Sequence, residues 1–175
     1  MGFARRATAY KRAEMLFNDL PRLLTISKNA GPLQLIFAGK AHPQDHPGKE
    51  IIERIVSISR QVHNDIPIVY LENYDTEMPK LLVAGVDLWL NTPQVPLEAS
   101  GTSGMKAAHN GVPSFSTLDG WWVEGHIEGL TGWSIGSGSE VTTNQDIDDL
   151  YQKLQDIILP AFYTSRSTWI NVMRH

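Results

Sequence analysis

The sequence predicts an α/β fold in which a parallel sheet is covered by helices on both faces. Three observations lead there. Apolar runs of five or six residues recur at Leu33–Ala38, Ile66–Leu71, Val86–Leu90 and Val112–Thr117, the length of buried strands. Segments with helical apolar spacing lie between them, and a strand–helix alternation implies parallel pairing. The polar, glycine-bearing stretches follow the runs, which in an open parallel sheet is the ligand-binding edge.

Taken in order, Ala4 to Ser27 reads as a helix, with Ala13, Leu16, Leu20, Leu23 and Leu24 near helical spacing. Pro21 inside it is expected to kink or divide it, and Asn29-Ala30-Gly31-Pro32 ends it. Leu33–Ala38 is a strand, followed by the loop Gly39-Lys40-Ala41-His42-Pro43. From Gly48 to Asn64, Ile51, Ile52, Ile55, Ile58 and Val62 mark one apolar helix face. Ile66–Leu71 is the next strand and Glu72-Asn73-Tyr74-Asp75 its loop; Thr76–Ala84 is a short helix and Val86–Leu90 a third strand. A helix over Ser103–Asn110 stops at Gly111, and Val112–Thr117 is a fourth strand. Trp121–Gly138, rich in Gly and Trp, reads as irregular structure with room for one edge strand. Asp146–Ile158 is the last predicted helix, before Pro160 and a tail without an evident cap. The sum is one Rossmann-like domain over residues 1–175.

Composition bounds the function. A chain of 175 residues is large enough for one real core. A net charge of -4 argues against a nucleic-acid groove. With no cysteine there is neither a disulfide framework nor a thiolate metal site. The six histidines (His42, His46, His63, His109, His126 and His175) show no paired ligand spacing, so no metal is expected. No stretch is apolar and long enough to span a bilayer, and no signal-peptide pattern opens the chain, so a cytosolic protein with no membrane partner is the expectation.

Two segments carry chemistry. In Glu98-Ala99-Ser100-Gly101-Thr102-Ser103-Gly104-Met105-Lys106, small residues between a strand and a helix bring backbone N–H groups near a ligand, and a helix start favours anions. One carboxylate, several hydroxyls and a lysine share that space. Read by composition alone, it is equally an ordinary Gly/Ser turn. The second segment, Arg5-Arg6-Ala7-Thr8-Ala9-Tyr10-Lys11-Arg12, is the densest positive cluster of an acidic chain. It is either a solvated helix face or the donors of a phosphate site, where Arg forks and Lys point charges are needed. A P-loop is excluded, because Gly101 is too close to Lys106 and Ala107 follows it.

The order of residues adds a resemblance. Glu98–Lys106 with the trailing Asn110-Gly111-Val112-Pro113 and Thr117-Leu118-Asp119-Gly120 closely resembles the cofactor-lysine segment of the α-glucan (glycogen, starch, maltodextrin) phosphorylases. The basic segment resembles the family's (basic)-Arg-x-x-x-Tyr-Lys-Arg, Gly39–Pro43 its Gly-Lys-Ala-x-Pro loop, and Leu71–Tyr74 its Leu-Glu-Asn-Tyr. The resemblance implies pyridoxal phosphate carried on Lys106 as a Schiff base. It implies Arg5 and Lys11 near the cofactor phosphate and Tyr74 in contact with the cofactor. Thr102, Ser103 and Gly104 would hold that phosphate. Glu98, Ser100 and Gly101 would bind sugar hydroxyls, and Arg6 inorganic phosphate, with Arg6, Lys11 and Lys106 as the catalytic set. A direct part for Lys40 and a plain exposed turn are equally open. Asp75 stands where the long enzymes carry Arg, and Arg5 where the common form has Lys. The long enzymes also read Gly-Thr-Gly-Asn-Met-Lys where Thr102-Ser103-Gly104-Met105-Lys106 stands here. That difference and Asp75, with Trp121-Trp122-Val123-Glu124-Gly125-His126, are more similar to the compact bacterial and archaeal enzymes.

The implied activity is phosphorolysis of terminal α-1,4-glucosyl units to glucose 1-phosphate with retention, on α-glucan and inorganic phosphate. The implied architecture is the C-terminal half of a two-domain GT-B glycosyltransferase. The N-terminal domain is then expected to be absent, the piece by itself inactive, and a homo-oligomer of the full-length enzyme is left open. Two other readings stand beside it. One is a non-catalytic cofactor- or sugar-binding piece. The other is a nucleotide-sugar glycosyltransferase of the same fold, which needs a second glutamate where Lys106 stands. An imine-forming lysine must be partly desolvated, and Met105 and Ala107 are the neighbours expected to permit it.

Overall fold

The computed structural model describes residues 1–138 and 143–175. Six strands form one sheet in the order β3-β2-β1-β4-β5-β6, every neighbouring pair parallel. They are β1 (Gly2–Ala4), β2 (Leu35–Ala38), β3 (Ile68–Leu71), β4 (Trp89–Asn91), β5 (Ser114–Thr117) and β6 (Gly132–Ile135). The helices are α1 (Leu20–Asn29), α2 (His46–Gln61), α3 (Met78–Gly85), α4 (Thr102–His109), α5 (Trp122–Gly125), α6 (Thr143–Lys153), α7 (Leu159–Tyr163) and α8 (Arg166–Arg174). This is the doubly wound order, whose strand sequence reverses between β1 and β4.

Alternation along each strand splits the core in two. Phe3, Phe37 and Leu90 join Leu23, Ile26, Ile51, Ile55 and Leu154 on one face. Ala4, Ala38 and Trp89 meet Leu82, Val83 and Ala107 on the other. Right-handed crossovers dictate which helix lies where. The chain steps from β1 to β2 to β3 in one direction, so α1 and α2 share a face. Past β3 it returns to β4 and continues to β5, so α3 and α4 take the opposite face. The C-terminal helices come back to the first, with Tyr151, Ile158 and Trp169 buried there.

The strands and helices expected from Leu33 to Thr117 are present with ends moved by a few residues. Elsewhere the structure corrects the sequence reading. No helix runs from Ala4 to Ser27: β1 opens the chain as a central strand, followed by two 3-10 turns at Ala9–Lys11 and Met15–Phe17. Pro21 does not kink a helix but begins one. The Asp19 carboxylate accepts from Arg22 N at 3.0 Å as the N-cap of α1, with Pro21 in the first turn, where a missing N–H costs nothing. The Gly/Trp-rich stretch holds α5, which buries Trp122, as well as the edge strand β6, whose four residues are buried. The last predicted helix does not end before Pro160. A π-helical turn at Leu154–Ile158 leads into α7 with Pro160 in its first turn, and α8 follows, burying Trp169 and Val172.

Candidate functional site

The functional side chains gather at the C-terminal ends of β1 and β4, where the strand order reverses. Arg5 follows β1 directly, and its backbone N–H donates to Ala38 O at 3.1 Å, so β2 holds it in line. Its guanidinium donates from Nη1 to Asn91 Oδ1 at the end of β4, and from Nη2 to Glu98 Oε2 at 2.7 Å. Lys11 Nζ donates to the same Glu98 oxygen. One carboxylate therefore sits between two cations, with side-chain exposures of 7 to 9% for all three. Charges so far from water are tolerable only when paired and hydrogen-bonded. Lys11 Nζ also lies 4.4 Å from the centre of the Tyr10 ring, a cation–π contact.

The segment carrying Lys11 is pinned by Arg12, which takes the left-handed conformation. Its guanidinium donates to Thr92 O, Pro93 O and Asp146 Oδ2 at 2.8, 3.0 and 2.8 Å. The Thr92 hydroxyl donates back to Lys11 O and Arg12 O. Arg12 is thus a tether between β4 and α6. Arg6 is exposed and pairs with no described residue. Gly39 permits the close passage of the β2 loop, because a Cβ there would meet Arg5 O at 2.0 Å.

From Thr92 to Gly101 the chain has no helix or strand, then α4 begins. Glu98 N donates to Asp119 Oδ2 at 2.8 Å, and Trp121 N donates to Ser100 O at 2.8 Å. The Trp121 indole covers the first turn of α4, so a Cβ on Gly104 would lie 2.8 Å from its Nε1. In that turn the Ser103 hydroxyl is buried without a hydrogen-bond partner. Thr102 and Lys106, four apart, share the exposed face of α4. The desolvation expected at Lys106 is not provided by the described residues. Ala107 and Gly104 are the residues of α4 that are buried, and Lys106 stands exposed.

Tyr74 packs half-buried against the core cluster that holds Ala38 and Ala107. Burial pushes its hydroxyl pKa up, and the Arg5 charge pulls against that shift. Tyr70 donates to Gly39 O at 3.2 Å, and burial pushes its pKa up to about 12. Asp75 has structural work. Its Oδ1 accepts from Met78 N at 2.9 Å and Glu77 N at 3.0 Å, which holds its carboxyl below the usual range. Lys40 is exposed and gives its carbonyl to Ala7 N at 3.2 Å. No group of acidic or histidine side chains among the described residues could hold a metal.

The structure thus brings Arg5, Lys11 and Glu98 together, with Gly101 close beside Glu98 and Tyr74 within the field of Arg5. It sets Thr102, Ser103, Gly104 and Lys106 on the adjoining helix and leaves Arg6 unpaired at the rim. Sequence reasoning missed Asn91, Asp119 and Trp121 as parts of this site. Asn91 ends a strand without a motif, whereas Asp119-Gly120 and Trp121 stood in quoted patterns that carried a usable signal.

The profile of the carbohydrate phosphorylases matches residues 4–133, about three quarters of the chain. The chain belongs to the carbohydrate phosphorylase family. It is 46% identical to the maltodextrin phosphorylase of Thermococcus litoralis over 99% of its own length and 22% of that protein. It is 43% identical to the glycogen phosphorylase of Aquifex aeolicus, over 99% of this chain and 26% of the relative. Against the human liver glycogen phosphorylase the identity is 35% over 53% of this chain and 12% of the relative. The chain therefore spans about a quarter or less of these curated carbohydrate phosphorylases. Among the described residues no helix is long and apolar enough to cross a membrane.

Proposed function

We propose that this chain is the cofactor-carrying domain of an α-glucan phosphorylase, the second half of a GT-B pair, which takes terminal α-1,4-glucosyl units to glucose 1-phosphate with retention. The observation that carries the reading is the meeting, at the reversal of strand order, of a buried Arg5–Glu98–Lys11 cluster with a helix start whose Ser103 hydroxyl is buried and unpartnered. Buried polar atoms without partners mark places where another polar group belongs. The relatives' names, maltodextrin and glycogen phosphorylase, support α-glucan and inorganic phosphate as substrates.

The residues present fit pyridoxal phosphate. Ser103, Thr102 and the first N–H groups of α4 would hold its phosphate, and the Lys106 amine would bind it covalently from the same helix. When bound, it supplies a phosphate group that passes a proton to and from the substrate phosphate. The rest is done by the chain. In the reaction the sugar C1–O bond to the glucan breaks, a C1–O bond to phosphate forms, and the departing glucan oxygen takes a proton. Positive charge develops on the sugar while a phosphate dianion attacks, so fixed charges in a dry cleft contribute most. Arg6, free at the rim, would bind the incoming phosphate. Arg5 and Lys11, their geometry fixed by Glu98 and Asn91, would set the field of the two phosphates. Glu98, Ser100 and Gly101 would face the sugar hydroxyls, and Tyr74 the cofactor ring. The exposure of Lys106 supports a site completed by the remainder of a longer enzyme, so the chain alone is expected to bind the cofactor without turnover.

The test is to incubate the chain with pyridoxal phosphate, reduce with borohydride and locate the modified peptide by mass spectrometry. Label at Lys106 that disappears in Lys106→Ala supports the reading. Label spread over the surface lysines and unchanged in that variant overturns it.

A further inference from the structure

We propose that Asp119 is a positioning residue for this site, holding the Glu98 backbone so that one carboxylate stands between Arg5 and Lys11. The inference rests on the phosphorylase reading for its purpose, though not for its geometry. A segment of ten residues without helix or strand, Thr92 to Gly101, does not hold a side chain to within a fraction of an ångström unless it is tied from outside. Its ties are few. Gln94 N donates to Tyr10 O at 2.7 Å and Leu97 N to Gln94 O at 2.8 Å, while Ser100 O accepts from Trp121 N at 2.8 Å. The tie at Glu98 itself is its N–H, donated to Asp119 Oδ2 at 2.8 Å.

Asp119 is suited to that role and to little else. It is 7% exposed at the end of β5. Its second oxygen, Oδ1, accepts from Gly120 N at 2.9 Å, and its own N–H donates to Thr117 O at 2.9 Å. Both carboxylate oxygens are thus committed to backbone donors, so Asp119 does not offer itself to a sugar or a phosphate. Buried carboxylates are costly unless opposed by cations and fully hydrogen-bonded. Here Arg5 and Lys11 oppose Glu98, and the Glu98 and Gly120 N–H groups satisfy Asp119. The strand order makes the tie effective. β5 is the neighbour of β4, and the turn after β5 reaches the loop after β4 without passing through solvent. Asparagine would keep one acceptor oxygen for the two N–H donors, whereas alanine removes both.

Three measurements on the 175-residue chain test this. In the unmodified chain, the Glu98 amide should exchange with deuterium on the order of 100-fold more slowly than an untethered loop amide. Asp119→Ala, which removes both acceptors, should abolish that protection and weaken inorganic phosphate binding about tenfold, as expected for losing one hydrogen bond to a charged group. The Glu98→Gln variant and the Glu98→Gln/Asp119→Ala double variant should bind phosphate alike, because Asp119 acts through Glu98. A general loosening of the fold would instead add its effect in both backgrounds, and that additivity overturns the proposal. So does a Glu98 amide that exchanges freely in the native chain, a result that decides the matter even if Asp119→Ala does not fold. Should the native chain bind no phosphate while amide protection still depends on Asp119, the positioning role stands and the functional reading of the site falls.

Discussion

Replacing Glu98 by glutamine keeps volume and one acceptor but removes the charge shared by Arg5 and Lys11. At the 2.7 Å of the Arg5 pair, the gross attraction is about 6 kcal/mol at an effective dielectric constant of about 20. Desolvation of three groups that are 7 to 9% exposed offsets much of it. What remains is the cost of two buried cations left facing each other, about 3–5 kcal/mol for a broken buried pair. With a urea slope of about 2 kcal/mol per molar, the unfolding midpoint should fall by roughly 1.5–2.5 M. Lys11→Met should cost a comparable amount. The double variant Glu98→Gln/Lys11→Met should recover about 2–3 kcal/mol of the summed losses, since it leaves no unpaired lysine charge. Urea titrations followed by circular dichroism measure all three. A Glu98→Gln loss under about 1 kcal/mol, or losses that simply add, would refute the claim that this cluster is energetically coupled.

Gly104→Ala should be destabilising by up to about 2 kcal/mol in urea titrations: helix propensity favours alanine by about 1 kcal/mol, but its Cβ would lie 2.8 Å from Trp121 Nε1, an overpacking cost of about 1–3 kcal/mol. In a Trp121→Leu background the same substitution should become stabilising. At the far edge, burial raises the Glu128 carboxyl, yet hydrogen bonds from Ser134 N, His126 and Ser134 Oγ and the Lys153 charge bring it below the usual range. A carboxyl lowered by folding gives its stability above the unfolded pKa, and that contribution is lost as pH falls through the folded value. Urea midpoints should therefore drop more steeply below about pH 4 in the native chain than in Glu128→Gln, and parallel pH profiles would contradict this.

The elements between Leu33 and Thr117 were legible because each lies in an apolar or periodic run of five residues or more, even where the strand itself, as in β4, has only three. β1 was not: Gly2, Phe3 and Ala4 are too few to display alternation, and the helical spacing from Ala13 to Leu24 drew the boundary backwards over them. Pro21 was read as a break because its cap, Asp19, is recognised only through the hydrogen bond it accepts. The candidate site was legible as residue types, by resemblance more than by pattern. Its wiring was not, since Glu98 lies 93 residues from Arg5 and 87 from Lys11, and only the strand order brings them into contact. The commitment of both Asp119 oxygens to backbone donors, and the indole lying over Gly104, are tertiary facts with no local signature.

The central place of β1 has a kinetic side. β1 is the first strand of the sequence to be made, and it pairs with β2 some 34 residues later, Gly2 against Ile36. Its other edge stays open until β4 arrives, when Gly2 N donates to Leu88 O at 2.9 Å. Closing that gap means bringing together ends separated by nearly half the chain, an entropic cost met before the contact returns anything. Parallel sheets with such remote partners fold slowly. On this topology the β1–β4 seam, which also assembles Arg5 with Asn91, should be among the last parts of the sheet to form. The half-sheet β1–β2–β3 would precede it, with an unpaired edge in the middle of the future molecule.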